Sequence, residues 1–196
     1  MKAFLPTALL MLVPLVAPQS VAQEAGPVLT VEQARARSDR IGEVGYEFAV
    51  RLDGVAPEYA GSVRITFDLA DASGDLRVDF GGGTVLSVIV NGAEVDGRYN
   101  GHHLTLPGGA LVRGRNEAVV RFSRPYSSDG TGLYRFVDPE DGRVYVFSDF
   151  EPFNQNRLFP AFDQPDLKAR YTTRVTAPSD WVVVSINAPP PSRTAP

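Results

Sequence analysis

Y-V-F-S-D-F-E-P-F-N-Q-N-R-L-F-P-A-F-D-Q-P-D-L-K-A-R-Y, from Tyr145 to Tyr171, is the stretch around which the rest of the sequence is organised. A strand-like run from Val144 to Phe150 feeds Glu151 and Pro152. A polar turn follows, Phe153-Asn154-Gln155-Asn156-Arg157, and then a second aromatic and proline cluster, Phe159-Pro160-Ala161-Phe162-Asp163. Leu167 to Thr176 reads as another strand. Four phenylalanines, two prolines and three carboxylates fall between Ser148 and Gln164, a density that few folds need and that separates this stretch from a generic β pattern.

Working outward toward the N-terminus, the pattern alternates with period two, the signature of half-buried strands. Val44, Tyr46, Phe48, Val50 and Leu52 fall on one face, with Glu43, Glu47 and Arg51 on the other. Val63, Ile65, Phe67 and Leu69 repeat the theme against Arg64, Thr66 and Asp68. Leu76 to Phe80 and Val85 to Val90 follow, and Asn91-Gly92 is a strong hairpin signal before Ala93 to Tyr99. His103 to Leu106 and Asn116 to Phe122 complete a set of short strands punctuated by Gly, Pro and Asp. Ser127 to Gly132 reads as a polar loop, Asp138 to Gly142 as a tight turn, and Trp181 to Ile186 as a last strand. The expected fold is all-β, an antiparallel β-sandwich or saddle. One short helix precedes it. Thr30-Val31-Glu32-Gln33 forms a capping box that starts a helix running to about Arg40.

The ends carry different messages. Met1-Lys2, the apolar Ala3 to Ala17 and the small residues Ser20-Val21-Ala22 read as a secretory signal peptide over 1–22, with cleavage before Gln23. Residues 23–40 are then a leader and the short helix, 41–189 the β-domain, and 190–196 a proline-rich tail whose composition predicts disorder. The expected destination is the periplasm or the extracellular medium, with no membrane span in the mature product.

Composition removes several classes of function. The chain has no cysteine, which excludes disulfides, thiolate catalysis and Cys-liganded metal. Its formal charge of −4, with no basic run, argues against nucleic acid as a partner. His102 and His103 are adjacent on an expected strand, so they point to opposite faces and cannot chelate one ion together. Gly81-Gly82-Gly83 lacks the G-K-[ST] ending of a phosphate loop and reads as a turn. No G-x-S-x-G elbow is present. Asp149 and Glu151 are two apart and would share a strand face. Paired carboxylates in a cleft can do acid–base work, although the spacing alone favours a solvated strand end. Asp163 is expected to brace the turn by a local ion pair with Arg157 or Lys168.

The run from Ser148 to Tyr171 resembles the signature of the N-terminal domain of the aminopeptidase N family of zinc metallopeptidases. The likeness rests on Phe150-Glu151-Pro152, Arg157, Phe159-Pro160, Phe162-Asp163, Pro165, Lys168-Ala169 and the aromatic Tyr171. Upstream, Gly130 to Phe136 resembles the G-L-Y-R segment of the same domain, and the likeness extends from about Arg40 to Pro189. It implies an all-β domain that caps a thermolysin-like catalytic domain. It also implies that Glu151 holds the α-amine of a peptide substrate and that Asp149 lines the same pocket. Asp149 stands where the family usually has Gln, Ala161 where it has Cys, and Gln164 where it has Glu.

The family's zinc ligands, H-E-x-x-H with a distant Glu, and its G-x-M-E-N loop are absent from this sequence. No catalytic residue, metal ligand or cofactor is therefore expected in this chain, and zinc belongs to the complete enzyme. The resemblance implies a substrate-pocket domain whose partners are a peptide N-terminus and a catalytic domain, encoded in line or separately. The alternative is a freestanding exported β-sandwich that binds a protein, a peptide terminus or a glycan. A domain separated from its catalytic partner should expose apolar surface including Phe150, Phe153 and Leu158.

Overall fold

The structure is a computed structural model and describes residues 29–185. The expected signal peptide, the proline-rich tail and the end of the expected Trp181–Ile186 strand lie outside the described residues. Helix α1 (Val31–Arg40) opens the described chain. The Thr30 Oγ1 accepts from the Gln33 amide at 3.2 Å, and the Gln33 Oε1 accepts from the Thr30 amide at 3.0 Å. Two of the N–H groups that a helix start leaves unpaired are thus satisfied reciprocally.

The strands are β1 (Ile41–Arg51), β2 (Glu58–Leu69), β3 (Leu76–Asp79), β4 (Thr84–Val90), β5 (Ala93–Glu94), β6 (Arg98–Tyr99), β7 (His103–Leu106), β8 (Gly114–Pro125), β9 (Gly132–Val137), β10 (Val144–Asp149) and β11 (Ala169–Thr176). They form a six-stranded sheet in the order β11-β1-β2-β8-β4-β5, a three-stranded sheet β3-β7-β6 and a two-stranded sheet β10-β9. The period-two pattern sets the faces. Val44, Tyr46, Phe48 and Val50 of β1, and Val63, Ile65, Phe67 and Leu69 of β2, are all buried. They share the core with Val78 and Phe80, with Leu104 and Leu106, and with Val120 and Phe122. Each such side chain contributes roughly 1.5–3 kcal/mol by leaving water. The Asn91-Gly92 hairpin forms as expected, both residues having positive φ and joining β4 to β5.

All-β with one short helix is the observed class, and the sheets are mixed. Most pairs are antiparallel, but β11 lies parallel to β1, from Val44↔Ala169 to Arg51↔Thr176. A parallel neighbour cannot be reached by a tight turn; the chain between β1 and β11 runs through β2 to β10, and the crossover segment 150–168 carries it from the end of β10 to this sheet edge. Trp181 to Ser185 forms no strand; Trp181 instead packs its ring near Gly54.

That crossover explains the density of Phe and Pro. Leu158 to Gln164 are all buried. Phe159 stacks on Phe48 with ring centroids 4.5 Å apart and meets Tyr46 edge-on at 5.6 Å. Phe162 meets Phe67 edge-on at 5.3 Å. Ala161 forms a two-way bridge to Asp79, N···O 2.8 and 3.0 Å, at the end of β3. The aromatic segment therefore plugs the space between the two larger sheets and extends the edge of the smaller one.

Candidate functional site

The turn that carries Glu151 begins where β10 ends. Asp149 Oδ1 accepts from the Glu151 amide at 3.2 Å. Asn154 Nδ2 donates to the Glu151 carbonyl at 2.7 Å, and the Asn154 amide to the Phe150 carbonyl at 2.9 Å. Asp and Asn side chains commonly replace backbone partners in this way at turns. The Glu151 backbone is thus tied on both sides. Its carboxylate, in contrast, makes no hydrogen bond or ion pair among the described residues and is exposed. Asp149 and Glu151 do not share a strand face as the spacing suggested. The strand stops at Asp149, so Glu151 belongs to the turn and Asp149 caps it.

Behind the turn the chain is anchored to the core. Asn156, in the short 3-10 turn Gln155–Arg157, donates its amide and its Nδ2 to Asp163 Oδ2, both at 2.8 Å, and both residues are buried. The expected local ion pair of Asp163 with Arg157 or Lys168 is not formed. Arg157 reaches instead across to the loop before β9, pairing with Asp129 at 2.8 Å and with the Thr131 hydroxyl. The Arg157 guanidinium, followed by the Thr131 bonds, holds the Asp129 carboxyl down at about 2. Burial pushes the Asp163 carboxyl above its ordinary value, against the pull of the Asn156 bonds.

Gly132 is what lets Arg157 come so close. Its φ is +67°, and a Cβ there would sit 2.7 Å from the Arg157 Cβ. No side chain fits that contact, which accounts for the glycine at this point of the G-T-G-L-Y-R run. Tyr59, buried in β2, donates its hydroxyl to the Leu158 carbonyl at 2.9 Å. Tyr46 accepts from the Phe162 amide at 2.9 Å. Burial raises both phenols, so they stay neutral and keep these bonds.

On the far side, helix α1 locks the same segment. Arg37 is bidentate to Asp79, at 2.6 and 3.0 Å, in a pair that is almost wholly buried. The Asp163 amide donates to the same Asp79 carboxylate at 3.2 Å, and Gln164 Nε2 reaches the Ala34 carbonyl at 2.9 Å. Asn154, Asn156 and Arg37 did not stand out in the sequence. An Asn three residues after Glu151 is a readable turn signal. The partners of Arg37 and Asn156 are not locally encoded.

Beside this anchored turn lies an unpartnered surface. In the β10–β9 pair, Phe147 opposes Tyr134 and Tyr145 opposes Phe136, so the four rings share one face. Phe136, Tyr145 and Phe147 are 40%, 46% and 49% exposed. Phe150 is exposed as expected and Phe153 is half-buried, but Leu158 is 6% exposed because it opens the buried plug rather than ending the turn.

No three His, Cys, Asp or Glu side chains cluster as a metal site among the described residues. His103 stands in β7 and His102 in the turn before it, so this donor set does not fit a zinc centre, which needs about three converging ligands. Among the described residues no helix is long and apolar enough to cross a membrane.

Comparison with known proteins adds a context for this arrangement. The family model described as the peptidase M1 N-terminal domain matches residues 44–194. Aminopeptidase N from Streptomyces lividans is 36% identical over 170 residues, covering 85% of this chain and 20% of that protein. The chain thus spans about a fifth of that relative's length. In backbone shape the chain is similar to native leukotriene A4 hydrolase from Saccharomyces cerevisiae, with a TM-score of 0.62 at 20% identity over 72% of this chain and 24% of that one. It is also similar to an M1 zinc metallopeptidase from Deinococcus radiodurans, with a TM-score of 0.54 at 20% identity over 71% of this chain and 33% of that one. At such identities the structural likeness speaks for the fold.

Proposed function

This chain belongs to the peptidase M1 N-terminal domain family, and from that premise we propose that it is the substrate-pocket domain of an exported zinc aminopeptidase, with Glu151 receiving the α-amine of a peptide. The observation that carries the reading is the contrast within one residue. The Glu151 backbone is tied by Asp149 and Asn154, while its carboxylate is uncommitted and outward. A carboxylate on a positioned backbone gains from a charge-assisted bond to an ammonium, and Asp149 adds a second negative charge at the same turn. The aromatic face of β9–β10 supports the reading as the surface that the rest of the peptidase would cover, because contiguous exposed apolar surface marks an interaction site.

Zinc supplies an activated water and a Lewis acid in such enzymes. The described residues do not fit it, so no hydrolytic step is assigned to this domain, whose part is to bind and orient. Export belongs to the same proposal and rests on the signal-like residues 1–22.

The test is to express this domain together with the sequence that follows Pro196 and to assay zinc-dependent release of N-terminal residues. Glu151→Gln is expected to raise KM for a short peptide by about tenfold or more, the worth of one charge-assisted bond. Absence of any such activity, both with every downstream reading frame and with a separately encoded M1 catalytic domain of the same source supplied in trans, overturns the peptidase reading and leaves a freestanding binding module. Sequencing the mature N-terminus tests export, with Gln23 the expected first residue and an intact Met1 the contrary result.

A further inference from the structure

A second site lies against the 3-10 turn Gln155–Arg157. A cleft of about 340 Å³ is lined by Gly81, Gly82, His102, Arg124, Phe153, Asn156 and Arg157. Arg124, at the end of β8, is 6% exposed. Its Nε donates to the Gly81 carbonyl at 2.7 Å and its Nη1 to the Pro125 carbonyl at 3.0 Å, and the guanidinium also meets the Tyr59 hydroxyl. All of these partners are neutral. Among the described residues Arg124 makes no ion pair.

A buried guanidinium without a counterion is costly, because the charge is out of water and nothing of opposite sign compensates it. The other deeply buried arginine, Arg37, conforms to that rule through Asp79. Arg124 breaks it, and it does so where the chain leaves it uncovered. Gly82, at φ +68°, has no side chain over the guanidinium; a Cβ there would stand 3.7 Å from Arg124 Nη2. The remaining lining brings no negative charge into the cleft. Arg157 is already neutralised by Asp129 at 2.8 Å. The amides of Gly81 and Gly82 are spent on the Asn156 and Gly101 carbonyls, so the guanidinium is the group that takes the charge.

We propose that this cleft binds a monoanionic oxyanion, a carboxylate above all, on Arg124, with the apolar part of the ligand against Phe153. One uncompensated positive charge matches one negative charge, and guanidinium and carboxylate match in geometry. This proposal does not depend on the peptidase reading.

The experiment is a titration of the isotopically labelled full chain with sodium acetate, followed by amide NMR, at ionic strength held constant with sodium chloride. Parallel titrations use inorganic phosphate and chloride alone. Acetate is expected to give saturable shifts centred on Gly81, Gly82 and His102. Arg124→Gln should weaken them about tenfold or more, and Arg124→Lys should weaken them less. His102→Asp, on the exposed rim, should abolish them without touching the buried arginine, and it decides the matter should Arg124→Gln fail to fold. Shifts that are scattered, that do not saturate, that equal those of chloride or that survive His102→Asp overturn the site. Phosphate binding tighter than acetate overturns the carboxylate preference.

Discussion

Phe159 and Phe162 are 3% and 2% exposed, whereas Phe147 and Phe136, no less aromatic, are 49% and 40% exposed on the β9–β10 hairpin. The two segments are joined through Arg157, which sits before the first and pairs with Asp129 just ahead of the second. They differ in what faces them. The crossover has a six-stranded sheet on one side, offering Tyr46, Phe48 and Phe67, and Asp79 of the smaller sheet on the other. The hairpin has only its inner face covered, where Leu133 is buried and Val146 is half-buried. Two strands alone make a marginal unit, so this one is held by its neighbours, and its outer rings pack only on one another, Tyr134 on Phe147 at 4.7 Å. Aromatic content alone therefore says nothing of purpose. An enclosed ring holds the fold, and an open row of rings leaves apolar surface in water.

The sharpest way to break this comparison is to truncate one enclosed ring. Phe159→Ala removes the stack on Phe48 and the edge contact with Tyr46, and is expected to cost about 3–5 kcal/mol, read as a lower midpoint in urea denaturation at unchanged slope. A cost below about 1 kcal/mol would mean that the crossover is a surface flap and that the distinction fails.

A second variant asks whether the plug also holds the Glu151 turn. Asp163→Ala strips the acceptor from two buried donors of Asn156, and leaving such donors unsatisfied costs roughly 1–3 kcal/mol. Hydrogen exchange should quicken at the Asn156 amide and through the turn while the β2 and β8 amides stay protected. Uniform quickening would show that the turn has no anchor of its own.

These anchors also mark how far the sequence could be read. Thr30 and Gln33 announce their helix because a capping box is local, four residues long and chemically specific. The β faces were legible because burial follows period two. The partner of β11 was not, since alternation says which face is buried but not which strand lies alongside or in which direction. Arg37 reads as an ordinary charged helix residue, yet it is buried on Asp79, 42 positions away. The Asp149–Glu151 spacing reads as a solvated strand end, and both residues are exposed there; what alternation does not show is that the strand ends at Asp149 and Glu151 lies in the turn. Glu151 itself became a candidate only through its resemblance to a known signature, and Arg124 had no signal, because an unpaired charge is a property of its surroundings.

The two ends of the anchor should also separate by pH. The Asp129 carboxyl is held at about 2, below its ordinary 3.8, first by Arg157 and then by Thr131. Its contribution is present above the ordinary value and is lost as pH falls from 3.8 toward 2. The Asp163 carboxyl is raised, first by burial. Its contribution has the opposite sign, being present below 3.8 and lost as pH rises through its folded value. Carboxyl-detected NMR titration should place Asp129 below and Asp163 above the ordinary value. In Asp129→Asn the part of the acid-induced loss between pH 3.8 and 2 that belongs to this pair should disappear. Equal titration of the two would remove the electrostatic distinction between exposed and enclosed ends.

The smallest expected effect is the most informative about the open face. Phe136 lies across from Tyr145 and contributes little to the interior, so Phe136→Ser should change stability by no more than about 0.5 kcal/mol, as ordinary surface substitutions do. Its consequence should instead be seen in solution behaviour. Removing one ring from the row reduces contiguous apolar surface, so the variant should bind less hydrophobic dye and self-associate less at high concentration. A loss of several kcal/mol would place the ring inside the fold, in the same class as Phe159. Unchanged dye binding with unchanged stability would mean that the row does not act as one surface. Only the combination of intact stability and weakened association fits a face kept apolar for a partner, because selection for folding alone gives no reason to keep several large rings in water.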